Sequence, residues 1–201
     1  MKFLRKRLQR LQKGFSMVEL LIAIAILGII MALATNSFDG AKTKATVMVN
    51  IAKDLGDANI QLKLDTGCYV STAQALFDAT SAADTQQNYC KRSFGNTWAR
   101  AYIAKYPVDA NGAIVIDKIG AGVTASFPTT PEAGGIGRRY YVHFANVPVD
   151  VIRQGLMECN SNSTANATLS QGNFNTDKCR TTANLSGEDP GDFDMVFDET
   201  R

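Results

Sequence analysis

The chain has 201 residues, of which 21 are Lys or Arg and 19 are Asp or Glu, so its formal net charge at pH 7 is +2. Six of the basic residues and none of the acidic ones lie in the first 14 residues, which leaves 15 basic against 19 acidic residues in the remaining 187. The excess of positive charge therefore belongs to the N-terminus and gives no support to nucleic-acid binding by the rest of the chain.

An apolar segment follows this basic N-terminus. Leu20–Ala34 is a run of fifteen apolar residues, which as a helix reaches about 22 Å. A helix from Phe15 to Phe38 reaches about 35 Å, enough to cross a bilayer core of roughly 30 Å. Because Lys and Arg favour the cytoplasmic side of a membrane, the sequence predicts a single transmembrane helix with residues 1–14 in the cytoplasm.

Two simpler interpretations of this segment remain open. A secretory signal peptide has an apolar stretch of about 7–15 residues. The stretch Met17–Ala34 is longer, although Ala32-Leu33-Ala34 fits a small-x-small cleavage site. The other alternative is a plain N-terminal membrane anchor. Neither explains Glu19, because a carboxylate at the middle of a bilayer costs roughly 2.5–3.5 kcal/mol.

Glu19 gains a partner if the chain is cut after Gly14. The cut creates an α-ammonium on Phe15, four residues before Glu19, and residues at that spacing share one helix face. A carboxylate in the first turn also suits the positive end of the helix dipole. The ammonium and the carboxylate can then neutralise each other, within one subunit or between packed subunits.

The segment Gly14-Phe15-Ser16-Met17-Val18-Glu19 resembles the class III signal of type IV prepilins and related pseudopilins. In that family a membrane aspartyl peptidase cleaves after the glycine and N-methylates the new N-terminus. The glutamate at mature position five then pairs with the N-terminus of a neighbouring subunit. The resemblance implies that Gly14 ends the leader, that Phe15 is the methylated N-terminus and that Glu19 is the assembly carboxylate.

The resemblance also implies a function. The chain is expected to be a bacterial inner-membrane precursor that becomes the structural subunit of a type IV pilus. Its expected partners are other copies of itself, the prepilin peptidase and the inner-membrane assembly machinery, with no cofactor, and with nucleic acid only at the fibre surface. The alternatives are a type II secretion pseudopilin, a minor pilin or, from another class, a membrane-anchored periplasmic binding module that does not polymerise.

An amphipathic helix is predicted to continue beyond the membrane segment. Apolar residues recur at spacings of three and four, and Gly67 is the expected stop: Ala41, Ala45, Met48, Ala52, Leu55, Ala58 and Leu62. We expect a leader at 1–14, a filament-core half of the helix at 15–38, its amphipathic half at 39–66 and a globular region at 67–201.

The subclass of pilin stays open at this point. The family glycine at mature position 14 is present as Gly28, where the resemblance implies a flexible point in the helix. Many type IVa pilins carry prolines at mature positions 22 and 42, and this chain has Asn36 and Gly56 there. The short leader and Phe15 are similar to type IVa, whereas Phe144–Pro148 followed by a helix is similar to type IVb.

The four cysteines all follow the membrane segment, which places them in an oxidising compartment under the predicted topology. Four cysteines allow three connectivities, of which we favour the two local pairs, Cys68–Cys90 and Cys159–Cys179. In the pilin family the last cysteine pair bounds a variable surface region. A metal site is disfavoured, because there is no Cys-x-x-Cys motif and His143 is the only histidine.

The globular region is predicted to be α+β, similar to the pilin ladle, with a long helix packed on a small antiparallel sheet. The predicted elements are a short helix at Ser71–Phe77, a polar loop at Thr80–Asn88, a hairpin between Ala101–Val108 and Ala113–Ile119, a loop at Gly120–Gly137, a strand at Arg139–Phe144, a helix at Pro148–Cys159 and a strand at Asp192–Phe197.

No catalytic constellation stands out in the sequence. A Ser-His-Asp site would have to use His143, which lies in a predicted strand and is better interpreted as an ordinary strand residue. Lys91, Arg92, Arg138 and Arg139 could form a small basic patch for DNA or other anionic partners. We favour a solvated face instead, because residues 15–201 are acidic on balance and no aromatic residues interleave with these cations. The sequence therefore predicts a structural protein and no enzyme.

Overall fold

The computed structural model describes residues 21–24, 26, 40–131, 137–160 and 171–200. The chain divides into an N-terminal unit, Met1–Asp39, and a C-terminal unit, Gly40–Arg201. In the N-terminal unit, residues 21–24 and 26 are helical and exposed. Within the described ranges, no helix combines the length and the apolar character needed to cross a membrane.

The C-terminal unit begins with helix α1, Gly40–Thr66. Six of the seven residues of the predicted apolar stripe, from Ala45 to Leu62, are at most 4% exposed, and Ala41 packs against the same core. The helix ends before Gly67, whose φ is +81° and whose N–H donates to the carbonyl of Lys63 at 2.6 Å. The prediction of an amphipathic helix that stops at a left-handed glycine is therefore confirmed.

Helix α1 forms one layer of the unit, and an antiparallel sheet of six strands, four short and two long, forms the other. The strands are β1 (Ile114–Val115), β2 (Thr124–Ser126), β3 (Thr129–Pro131), β4 (Arg138–Val147), β5 (Cys179–Arg180) and β6 (Gly191–Thr200). Their order is β1-β2-β4-β6-β5, and β3 pairs with the first residues of β4. Helix α2 (Ala79–Ala83) precedes the sheet, and helix α3 (Val149–Cys159) follows β4.

Helix α1 packs against β4, β6 and α3, and glycines allow two of these close approaches. A Cβ added at Gly56 would lie 2.5 Å from the Cβ of Phe197 on β6, and one at Gly155 of α3 would lie 2.6 Å from the Cε of Met48. Contacts under about 3 Å cannot be relieved without moving backbone or side chains. The observed architecture is the predicted α+β fold, a long helix on a small antiparallel sheet.

Two disulfides stabilise this fold, and they are the two local pairs favoured from the sequence. Cys68 is bonded to Cys90, and Cys159 is bonded to Cys179. The first pair closes the connection that follows α1, and the second joins the end of α3 to β5. Each closes a loop of about 20 residues, which in the chain-entropy model stabilises the fold by roughly 3 kcal/mol.

The predicted polar loop at Thr80–Asn88 is wrong, because this segment contains most of α2 and a 3-10 turn at Thr85–Gln87. The carboxylate of Asp78 accepts a hydrogen bond from the N–H of Thr80 at 3.0 Å, and that of Asp84 accepts one from the N–H of Gln86 at 2.9 Å. Aspartate side chains thus cap both turns. The helix predicted just before them is a 3-10 helix, Ala73–Leu76.

The predicted hairpin over residues 101–119 is only partly right. Its turn exists, since the Asp109 carboxylate accepts hydrogen bonds from the N–H groups of Asn111 and Ala113, but a single bridge joins Val108 to Ile114. Strand β1 pairs instead with β2, inside the segment predicted to be a loop. The overlooked signal is the alternation of Val123, Ala125 and Phe127, which are all at most 1% exposed.

The last three predicted elements are confirmed. Strand β4 contains the predicted Arg139–Phe144, with Val142 and Phe144 fully buried. Helix α3 and strand β6 match the predicted helix and final strand within a few residues. The β4–β6 pair forms the centre of the sheet and carries the side chains described below.

Candidate functional site

The residues predicted to carry processing and assembly belong to the N-terminal unit. Gly14, Phe15, Glu19 and Gly28 all lie outside the described residues, so the predictions made for them remain predictions. The other predicted site residues, the four cysteines, are described and bonded as expected. The functional surfaces visible in the structure are therefore those of the C-terminal unit.

The described part of the region bounded by Cys159 and Cys179, residues 160 and 171–178, contacts strands β4 and β5. The side chain of Asn160 donates to the carbonyl of Cys179 and accepts from its N–H, both at 2.9 Å, beside the disulfide. The ring centroids of Phe174 and of Tyr141 on β4 are 5.3 Å apart. The Cζ of Arg180 lies over the Phe174 ring, 4.0 Å from its centroid. The described part of this region is thus held by a disulfide, an amide and an aromatic–cation contact.

A row of charged side chains crosses three neighbouring strands beneath this region. His143 on β4 is opposite Asp194 on β6, and Asp194 is opposite Arg180 on β5. The Asp194 carboxylate, whose side chain is 3% exposed, lies 2.6 Å from His143 Nδ1 and 3.0 Å from Arg180 Nε. The hydrogen bond to Asp194 raises the pKa of His143, and burial opposes that shift.

This row is an ion network and does not have the character of a metal centre. In the described part of the chain, ligand atoms of His143, Asp192 and Asp194 lie within 4.8 Å of one another. Asp194 is already paired with the guanidinium of Arg180. The positive charge of Arg180 so close to the carboxylate would repel a metal cation. Asp192 is occupied by hydrogen bonds from the backbone and hydroxyl of Thr182. His143 lies in a strand as predicted, but its pairing with the buried Asp194 was not foreseen from the sequence.

The predicted basic patch is divided by the fold. Arg139 pairs with Glu199 at 2.7 Å and also donates to Asn175 at 2.9 Å. Arg138 instead borders a cavity of about 390 Å³, together with Lys63. Lys63 is 75 residues away in the sequence and was not part of the predicted patch. The walls of this cavity include three aromatic side chains, Tyr69, Tyr89 and Tyr140, and we call it the tyrosine pocket.

The aromatic walls of the tyrosine pocket contact one another and are hydrogen-bonded. The ring centroids of Tyr69 and Tyr140 are 4.1 Å apart, and those of Tyr89 and Tyr140 are 5.6 Å apart. The hydroxyl of Tyr69 donates to Asp198, and that of Tyr89 donates to the carbonyl of Phe127. Burial raises the pKa of Tyr89 above the usual range of a phenol. The pocket therefore offers aromatic walls together with the cations Lys63 and Arg138.

Comparison with known families concerns the N-terminus. Residues 9–35 match the family model described as the prokaryotic N-terminal methylation motif. No curated protein and no solved structure matches the chain. The matched range contains the Gly14–Phe15 junction, Glu19 and the apolar segment, which are the features that carried the resemblance. Residues 9–35 therefore carry the N-terminal methylation motif, which is the class III signal peptide found in type IV pilins.

Proposed function

We propose that the chain is the structural subunit of a type IV pilus. It is inserted in the inner membrane as a prepilin, cleaved after Gly14, methylated on Phe15 and polymerised through its N-terminal helix. The match of residues 9–35 to the N-terminal methylation motif carries the proposal. The α+β unit with two disulfides, suited to an oxidising compartment, supports it.

The proposed division of the chain follows from this function. Residues 1–14 are the leader, residues 15–38 anchor the precursor and later form the filament core, and residues 39–66 bear the globular region 67–201. Helix α1, which accounts for most of the third segment, supports this division because one of its faces is buried by the sheet and by α3. Gly28 is the proposed point of flexibility within the second segment.

Polymerisation would transfer the apolar helix from lipid to a core of identical helices. Each subunit presents one surface to a different surface of the next, and such a heterologous contact that does not close produces a helical fibre. In a core without water an unpaired carboxylate is costly, and pairing with an ammonium removes most of that cost. Glu19 would therefore pair with the Phe15 ammonium of a neighbouring subunit.

Processing is tested by changing the residue before the cut. Gly14→Glu should block cleavage, because the peptidase must bind this position closely, so the leader should be retained on a gel while membrane insertion continues. Mass spectrometry of the wild-type N-terminus should find methylated Phe15. Normal processing of the variant would contradict the assignment to the prepilin peptidase, and cleavage after Ala34 would indicate a secreted domain.

Electron microscopy of sheared surface material then tests assembly. Abundant fibres that contain this chain are expected of a pilus subunit. Correct processing with short periplasmic assemblies would indicate a type II secretion pseudopilin, and a trace amount in fibres of another protein would indicate a minor pilin. A processed chain that stays in the membrane as single subunits would indicate an anchored binding module.

A further inference from the structure

We propose that globular regions of successive subunits dock head to tail, with the exposed pair Glu188–Asp189 of one copy seated at the tyrosine pocket of the next. We call this pair the acidic turn. The inference rests on the proposed function, since the filament is what brings copies together. It adds a contact between the folded domains to the contact made by the N-terminal helices.

The rim of the tyrosine pocket has an excess of positive charge. Of its cations, Lys63 lies 3.2 Å from the carboxylate of Asp198. Arg92 donates to the backbone carbonyl of Thr66, next to the pocket, and makes no ion pair with any described residue. Arg138 likewise has no carboxylate partner in the described ranges. Arg138 lines the pocket and Arg92 lies beside its lining residue Gly67, and no described carboxylate pairs with either guanidinium, so both can meet an anion of another chain.

The acidic turn has the complementary character. Glu188 and Asp189 are both exposed, and neither makes an ion pair with a described residue. The residues just before the acidic turn are held in place, because Arg153 of α3 donates to the carbonyls of Leu185 and Gly187 at 2.8 and 3.0 Å. A turn anchored at its start loses less conformational entropy when a partner binds it.

The two surfaces lie at opposite ends of one strand. Strand β6 begins at Gly191, two residues after the acidic turn, and ends at Thr200, which lines the pocket. Ten residues of strand span roughly 33 Å. The acidic turn therefore cannot reach the pocket of its own chain, and the contact must form between copies. A basic end that meets an acidic end is a heterologous contact, the kind of contact that builds an open filament when its rotation does not close into a ring.

Charge reversal tests the contact in assembled filaments. Arg138→Glu and, separately, Asp189→Lys should each lower the yield of sheared filaments by about tenfold at low salt, since like charges then face each other. The double variant should recover most of the yield. Lys105→Glu, an exposed reversal away from both surfaces, is the matched control and should assemble normally. Wild-type yield from both single variants would overturn the proposal.

A second measurement avoids dependence on variants that fold poorly. Filaments assembled from a mixture of isotopically light and heavy wild-type chains are treated with a carbodiimide, which joins amines to nearby carboxylates. We expect mixed-isotope links to Glu188 or Asp189 from Lys63, which lines the pocket, or from Lys91, which follows the lining residue Cys90. Intact filaments that give mixed links elsewhere but none between these residues would overturn the docking alone. Wild-type chains that are trimmed but form no filament would overturn the proposed function as well.

Discussion

His143, the one histidine of the chain, takes part in a row of charges that joins three strands. Its Nδ1 faces Asp194, which also pairs with Arg180, and Asp192 lies nearby on the same strand as Asp194. The hydrogen bond to Asp194 raises the pKa of His143, the charge of Asp192 adds to the rise, and burial and the charge of Arg180 oppose it. The folded state therefore favours the imidazolium.

This shift predicts how stability depends on pH. Because the pKa of His143 is raised on folding, the protonated ring stabilises the fold fully below the unfolded pKa of about 6.5. That stabilisation is lost as the pH rises through the folded pKa. The free energy of unfolding of the wild-type protein should therefore fall, relative to that of His143→Gln, as the pH rises from about 6.5 through the folded pKa, because glutamine does not titrate.

Thermal or denaturant unfolding of the two proteins across that window measures the effect. The single histidine also gives one imidazole signal in an NMR titration, which reports the folded pKa without ambiguity. Parallel stability curves for wild type and His143→Gln would contradict the linkage. The pattern could not have been found from the sequence, because it depends on the register that places residues 143, 180 and 194 side by side.

At the scale of elements, α1 and β6 approach each other at Gly56. An alanine there should improve helix propensity by about 1 kcal/mol, but its Cβ would lie 2.5 Å from the Cβ of Phe197, which cannot turn away as a side-chain end can. Overpacking of this kind costs about 1–3 kcal/mol. We expect Gly56→Ala to lower the unfolding free energy by about 1 kcal/mol.

Gly40→Ala is the matched control for that change. A Cβ at Gly40 meets nothing within 4 Å, so this variant should be as stable as wild type or slightly more so. Denaturant unfolding of the full chain in detergent compares the three proteins. Equal stabilisation by both alanines would show that β6 lies farther from α1 than the structure has it.

A second contact between elements joins α3 to β5 in two ways. The Cys159–Cys179 disulfide and the Asn160 amide both tie the end of α3 to Cys179. Removing the disulfide by the double change to alanine should cost roughly 3 kcal/mol. Asn160→Ala alone should cost about 1–2 kcal/mol. The combined loss should exceed the sum of the separate losses, because each tie limits the damage done by removing the other.

A double-mutant cycle, measured by denaturant unfolding, tests this coupling. Strict additivity would mean that the amide and the disulfide act on separate openings of the chain. Asn184→Ala is a suitable control, since the Asn184 side chain accepts a hydrogen bond from Ser186 of its own turn, at 3.0 Å, and is not tied to α3 or β5 by any bond among the described residues.

Elements with strong periodicity could be predicted, and those fixed by pairing could not. Helix α1 shows its stripe over 27 residues, and β4 and β6 are ten residues each, so their patterns stand above the background. Strands β1, β2 and β3 have two or three residues. Such short strands exist because a neighbour offers them hydrogen bonds, which single-sequence patterns do not reveal.

At the scale of the whole molecule, the class III signal could be predicted from the sequence and the tyrosine pocket could not. The class III signal could be predicted because its parts are contiguous: a basic leader, a glycine, an aromatic residue and a glutamate before an apolar run. The tyrosine pocket could not, because α1, the loop after it and β4 each contribute to its wall. A motif that another protein recognises as a continuous segment can be found in the sequence, whereas the pocket forms only when distant segments come together on folding.

Glu19 is the residue on which assembly of the whole molecule should depend. Glu19→Ala leaves the apolar run intact and removes a charge that opposes insertion, so the precursor should enter the membrane normally. In the filament it leaves the Phe15 ammonium without a partner in a core without water, which destabilises the packed state strongly. We therefore expect normal membrane levels and a filament yield reduced by at least about tenfold.

Glu19→Gln separates charge from size in the same experiment. The amide keeps the shape of the side chain but cannot neutralise an ammonium, so this variant should assemble as poorly as Glu19→Ala. Mass spectrometry must show for each variant that the leader is removed and that Phe15 is methylated, since a failure of processing would also prevent assembly. Wild-type filament yield from either correctly processed variant would contradict a role for the carboxylate, because an unpaired ammonium would then be tolerated in the core.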